Sequence, residues 1–131
     1  MTMGNRLILS VEAIAQLRSE LPEYPTALEA LAEIEDCEGD VEDAAIALAI
    51  RAGQQPDRCD GWLEGLAKRC RVRLCTQEPL RQSLDRTAIA ATLGYLDENP
   101  PCPPLLLLPV VLWVLDRGVE AFCRPLDRPG R

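Results

Sequence analysis

The 131-residue chain contains no histidine, which removes histidine-based triads, histidine metal sites and histidine pH switches. Aromatic residues are scarce, two Trp, two Tyr and one Phe, so the core must be built from Leu, Ile, Val and Ala. Basic residues are the minority, 14 against 21 acidic, and a net charge of -7 is the wrong sign for a general nucleic-acid binder. Lysine is nearly absent, since every basic residue but Lys68 is arginine, the side chain suited to bidentate carboxylate pairing. Long apolar runs are missing as well. The longest, Leu105 to Leu115, ends at Asp116-Arg117, well short of the roughly 20 residues that a spanning helix needs.

The N-terminal ten residues hold only Leu7-Ile8-Leu9 as an apolar stretch, too short for the core of a secretory signal. A cytoplasmic protein is therefore expected. The six cysteines, Cys37, Cys59, Cys70, Cys75, Cys102 and Cys123, then read as free and mostly buried thiols.

What remains is a chain of helices separated by clear stop signals. Ser10 is placed to cap a helix running to about Leu21, with Leu9 stapled onto Ile14 and Pro22 as the stop. Pro25-Thr26 opens a second helix, for which Thr26 and Glu29 suggest a capping box. Gly39 closes it and Asp40 caps a third, Val41 to Ala52, which ends at Gly53. The third helix is apolar from Ala44 to Ile50 and so needs partners beyond the first two. After a seam at Gln54-Gln55-Pro56-Asp57, the residues Cys59, Trp62, Leu63, Leu66 and Cys70 form one amphipathic stripe. Thr76 and Asp85 are read as caps of two further helices, the second with Ile89, Leu93 and Leu96 inward. Asn99-Pro100-Pro101-Cys102-Pro103-Pro104 breaks the chain before a last helix from about Leu105 to Cys123, which Pro109 either starts or kinks. The expected fold is all-α, a compact single domain of six or seven short helices. In it a three-helix lobe, 8–53, packs on a helical half, 57–123, followed by a frayed tail, 124–131.

Charge divides between the two parts. Through Leu66 there are 14 acids and 4 bases; from Ala67 there are 7 acids and 10 bases. Glu29 to Asp43 carries eight carboxylates and no base. Calcium fits this stretch poorly: Gly39 falls at the fourth place of an Asp36-Glu38-Asp40 loop instead of the sixth, and the closing glutamate is missing. The basic run Lys68, Arg69, Arg71, Arg73 and Arg81 lacks the aromatics that stack bases.

The segment Ala27-Leu28-Glu29-Ala30-Leu31, followed by Cys37-Glu38-Gly39-Asp40-Val41-Glu42-Asp43-Ala44-Ala45, resembles the ubiquitin-associated (UBA) type of three-helix bundle, also seen at the N-terminus of elongation factor Ts. The resemblance covers residues 8–53 and implies a compact, non-catalytic lobe for protein recognition. Where UBA domains carry a Met-Gly-Phe/Tyr binding loop, this chain has Leu21-Pro22-Glu23-Tyr24-Pro25, and only Tyr24 stands in for it.

No nucleophile elbow, Gly-rich phosphate loop or complete metal-ligand set is present, so neither an enzyme nor a cofactor is expected. The expected role is a small protein-interaction or regulatory adapter whose partner is another protein or a second copy of itself. Nucleic acid and small-molecule substrates are not expected. The candidate contact residues are Glu29, Glu33, Asp36, Glu38 and Asp40 on an acidic face, Tyr24, and Trp113 on the apolar last helix. Two alternatives stand beside this one: redox or metal chemistry at Cys70 and Cys75, and membrane-surface association through the last helix.

Overall fold

The structure, a computed structural model, describes residues 6–55, 61–76 and 88–127. Among these residues the protein is all-α, a compact bundle of eight α-helices and one 3-10 turn with no strand. The expected seam at 54–57, Cys59, the short helix expected after Thr76 with Leu80 and Leu84, and Asp85, the expected cap of the next helix, lie wholly or partly outside the described residues.

Helix α1, Val11–Glu20, starts where Ser10 accepts a hydrogen bond from the Ala13 amide at 3.0 Å, and it buries Ile14 and Leu17. Helix α2, Pro25–Asp36, begins differently from expectation. Pro25 occupies its first turn and Tyr24 is the N-cap residue with no side-chain cap bond, so Thr26 and Glu29 form no capping box. Proline needs no amide partner at that position and its fixed φ is already helical, so the helix starts without one. Helix α3, Val41–Arg51, is capped by Asp40, which accepts from the Asp43 amide at 3.1 Å.

The turn between α2 and α3 has a partner that hydrophobic periodicity does not announce. Leu7–Leu9 runs alongside it: the Leu9 amide donates to the Gly39 carbonyl at 2.8 Å, and the Val41 amide donates to the Leu7 carbonyl at 3.1 Å. Ile8 and Asp40 thereby form an isolated antiparallel bridge. The N-terminal segment closes the three-helix lobe from outside.

Helix α4, Trp62–Arg69, presents Leu63, Leu66 and Ala67 inward, in line with the expected stripe. Helix α5, Arg71–Thr76, follows at once and buries Leu74 and Cys75. Thr76 is the last residue of α5, and its hydroxyl donates to the Val72 carbonyl at 2.6 Å; the helix it was expected to cap lies outside the described residues. Helix α6, Ile89–Asp97, buries Ile89, Leu93 and Leu96 as expected.

After the proline-rich connector, Pro104–Leu106 forms a 3-10 turn and α7 runs Leu107–Arg117, with Pro109 in its first turn. The expected single helix to Cys123 is broken at Gly118, whose φ of +99° and ψ of 125° take the chain out of the helix. Helix α8, Val119–Asp127, then turns back, and helical structure extends past Cys123 into the segment read as a frayed tail.

Helix α7 is the hub. All eight residues from Leu107 to Val114 are buried, and the helix touches α2, α3, α4, α6 and α8. It also answers the requirement set by α3, which packs on α2, α4, the 3-10 turn and α7. The outer side of α3 is less covered than its composition suggests: Ile46 and Ala47 are half-buried and Ile50 is exposed. Among the described residues no helix is long and apolar enough to cross a membrane.

Candidate functional site

The acidic residues of the lobe occupy three arginine clamps and one open surface. Glu29 and Glu33, one helical turn apart on α2, face α3, where Arg51 donates to both at 2.8 and 2.5 Å. Arg6 lies against the start of α3 and holds Asp40 bidentately, both bonds at 3.0 Å, with a further bond to Asp43 at 3.1 Å. Arg18 on α1 reaches Glu35 at 3.0 Å. Three of the five expected acidic contact residues, Glu29, Glu33 and Asp40, are thus engaged within the protein. Exposed pairs of this kind contribute little to stability individually. Their effect here is to hold carboxylates in fixed positions.

Asp36 and Glu38 are exposed at the α2–α3 end, and neither forms an ion pair among the described residues. Glu12, Glu20 and Glu23 are also exposed, and none of them forms an ion pair among the described residues. The lobe from Arg6 to Gln55 carries eleven carboxylates and three arginines, and all three arginines are spent on the clamps. Its surface is therefore strongly negative around fixed positions.

Tyr24 is not a free contact residue. Half-buried, it donates its hydroxyl to the Ala90 carbonyl at 3.0 Å and so ties the lobe to α6. Gly94 faces that hydroxyl, and a Cβ there would lie 3.1 Å from it. Trp113 is core. It is 4% exposed, and its ring meets Phe122 edge-on with centroids 6.1 Å apart, while the Arg117 guanidinium lies 4.8 Å from the ring centre. Burial of α7 therefore removes the apolar face that was expected to carry self-association or membrane contact. Beside these rings an open cleft of about 490 Å³ is lined by Glu64, Arg71, Trp113, Arg117, Ala121 and Phe122. Lys68 donates to Glu64 and, with Arg117 nearby, holds its carboxyl below the usual range.

The cysteines depart most from expectation. Cys75 on α5 and Cys123 on α8 form a disulfide, so two of the six are not free thiols, and the pairing joins neither to Cys70. Cys70, at the end of α4, and Cys102, in the proline-rich connector, are free thiols, and Cys102 holds the Cys70 thiol below its usual range while Cys70 and burial push Cys102 up. The disulfide is not legible in the chain, because its partners are brought together only when α8 docks. Among the described residues no group of three or more potential metal ligands exists.

Cys37 differs from these four. Its thiol donates to Glu33 Oε2 at 3.8 Å, and burial together with the Glu33 charge pushes its pKa up to about 11. Alkylation of Cys37 by iodoacetamide, followed by peptide mapping, is expected to be slow at neutral pH and to rise only as the pH approaches that value. The same shift links to stability. Because the folded pKa lies above the unfolded one, the contribution is complete below the ordinary thiol pKa and is lost as pH rises through about 11. A Cys37→Ala variant should lose that alkaline slope in urea midpoints.

Searched against known proteins, the chain matches no family model, no curated protein and no solved structure.

Proposed function

We propose that this protein is a non-enzymatic interaction module whose acidic three-helix lobe docks on a cationic surface of another protein. One observation carries the reading: the lobe has eleven carboxylates, and each of its three arginines is already bound to carboxylates of the lobe itself. A surface with its own cations spent attracts a complementary positive patch, chiefly through a faster and salt-sensitive encounter. The resemblance of residues 8–53 to UBA-type lobes supports the same class of role, with the contact moved from the loop at Tyr24 to the α2–α3 end. Asp36 and Glu38 are the residues assigned to the contact, flanked by Glu12, Glu20 and Glu23.

The test is a titration of the isotope-labelled protein with an arginine- and lysine-rich helical peptide, followed by amide chemical shifts. Shifts clustered at Asp36, Glu38 and their neighbours, weakened in the Asp36→Asn/Glu38→Gln double variant and in high salt, support the assignment. Shifts spread evenly over the molecule, or unchanged in the double variant, overturn it.

A further inference from the structure

We infer that the cleft walled by α4, α5, α7 and α8 binds a small carboxylate with an apolar or aromatic body, held through Arg71. None of its lining residues belongs to the acidic lobe, so the site is independent of the docking role proposed for that lobe.

The cleft has the size, the charge and the unmet bonding for such a ligand. Its volume of about 490 Å³ lies in the range of small-molecule sites. Two cations stand on its walls. The Arg71 guanidinium lies over the Phe122 ring and the Arg117 guanidinium over the Trp113 ring, each 4.8 Å from the ring centre. The two rings meet edge-on with centroids 6.1 Å apart, so one aromatic pair holds both cations in place. A cation over a ring is attracted by the π-face and uses no hydrogen-bond donor in doing so.

Arg71 carries the argument further. Its Nε is buried and has no hydrogen-bond partner among the described residues, and the side chain forms no ion pair among them. A buried donor without an acceptor is costly, and native structures keep few of them. The nearest candidate acceptor in the cleft, Glu64, is bonded instead to Lys68 at 2.7 Å. One cation is therefore left unbalanced, which matches a ligand with one negative group. Arginine presents Nε and a terminal amine side by side, and the two oxygens of a carboxylate accept from both at once. A phosphate could take the same fork. The remaining walls favour the carboxylate: Trp113, Phe122 and Ala121 offer apolar surface, which rewards a ligand with an apolar body and not a bare oxyanion.

The experiment titrates the isotope-labelled full chain with benzoate, benzamide and inorganic phosphate and follows the amide and indole shifts. Benzamide keeps the shape of benzoate without its charge, and phosphate keeps a charge without the ring. Benzoate is expected to give saturable shifts at Arg71, Trp113, Arg117 and Phe122, and to bind about tenfold or more tighter than either comparison ligand. Arg71→Lys keeps the charge but loses the fork, and should weaken benzoate about tenfold. Ala121→Trp fills the cleft from an exposed position without altering a charge, and should abolish binding. The inference is overturned by benzoate shifts that do not saturate or that fall on the arginines of the lobe. Equal affinity for benzamide or phosphate, or undiminished binding in Ala121→Trp, overturns it too. The comparison of the three ligands on the unaltered chain decides the matter even where a variant fails to fold.

Discussion

Replacing Gly39 with alanine should destabilise the protein more than any other single-methyl change in the lobe. The residue sits at φ +88°, where an L side chain is disfavoured, and a Cβ built there falls 2.2 Å from the Leu9 carbonyl oxygen. That oxygen is backbone, and Leu9 is held in place by its own amide bond to the Gly39 carbonyl. Neither side of the clash can yield without opening the Leu7–Leu9 clip and the turn together. The left-handed conformation and the overpacking sum to about 2–5 kcal/mol. The neighbouring Glu38 provides the control. It is also left-handed, at φ 58°, but its side chain is exposed, so Glu38→Gly should be neutral or slightly stabilising. Urea denaturation of the two variants checks both signs. Equal midpoints for Gly39→Ala and the unaltered protein would mean that the N-terminal segment does not lie over the turn in solution.

The second large effect is expected on opening the Cys75–Cys123 bond. The two cysteines are 48 positions apart, and the chain-entropy account of a loop that long assigns the cross-link about 4 kcal/mol. For a chain of this size that corresponds to a fall in melting temperature on the order of 10–20 °C. The loss should be local at first. Helix α8 keeps only Phe122 and Cys123 fully buried, so amide exchange in Val119–Asp127 should accelerate before the rest of the bundle opens. Melting curves with and without a phosphine reductant, repeated on a Cys75→Ser/Cys123→Ser variant, provide the measurement. Identical curves would show that the pair carries no cross-link in solution. Trapping thiols at the moment of cell lysis extends the result, because a closed bond in the isolated protein marks an oxidising compartment and sets aside the cytoplasmic expectation.

Much of the fold was legible because it is written in short-range chemistry. Ser10 and Asp40 offer side-chain oxygens to amides that the first turn leaves unpaired, and Gly39 and Gly53 supply left-handed φ where α2 and α3 end. Leu63 and Leu66, like Ile89, Leu93 and Leu96, repeat at helical spacing and are all buried. The misreadings share a cause. Thr26 and Glu29 have capping-box spacing, but Pro25 had already started α2, and Glu29 is taken by Arg51 from another helix. Gly118 sits in an otherwise helical pattern, and only the docking of α8 requires the break there.

The candidate site divides along the same line. The excess of carboxylates in the lobe, the absence of histidine chemistry and the shortness of the apolar run follow from residue identity and need no fold. Which carboxylates remain open does not. Glu29, Glu33 and Asp40 are satisfied by arginines 22, 18 and 34 positions away, leaving Asp36 and Glu38 exposed. Trp113 and Tyr24 have the composition of interface anchors, yet α7 is enclosed by five other helices and the Tyr24 hydroxyl is bound to α6. The sequence by itself determined where the helices of the lobe start and stop, which faces turn inward and the sign of the lobe's charge, since these depend on residues within a turn or two of one another. Only the tertiary structure decided which cysteines meet, which charges are spent and which apolar helix becomes the core. Those outcomes depend on contacts between distant segments, and no local pattern encodes them.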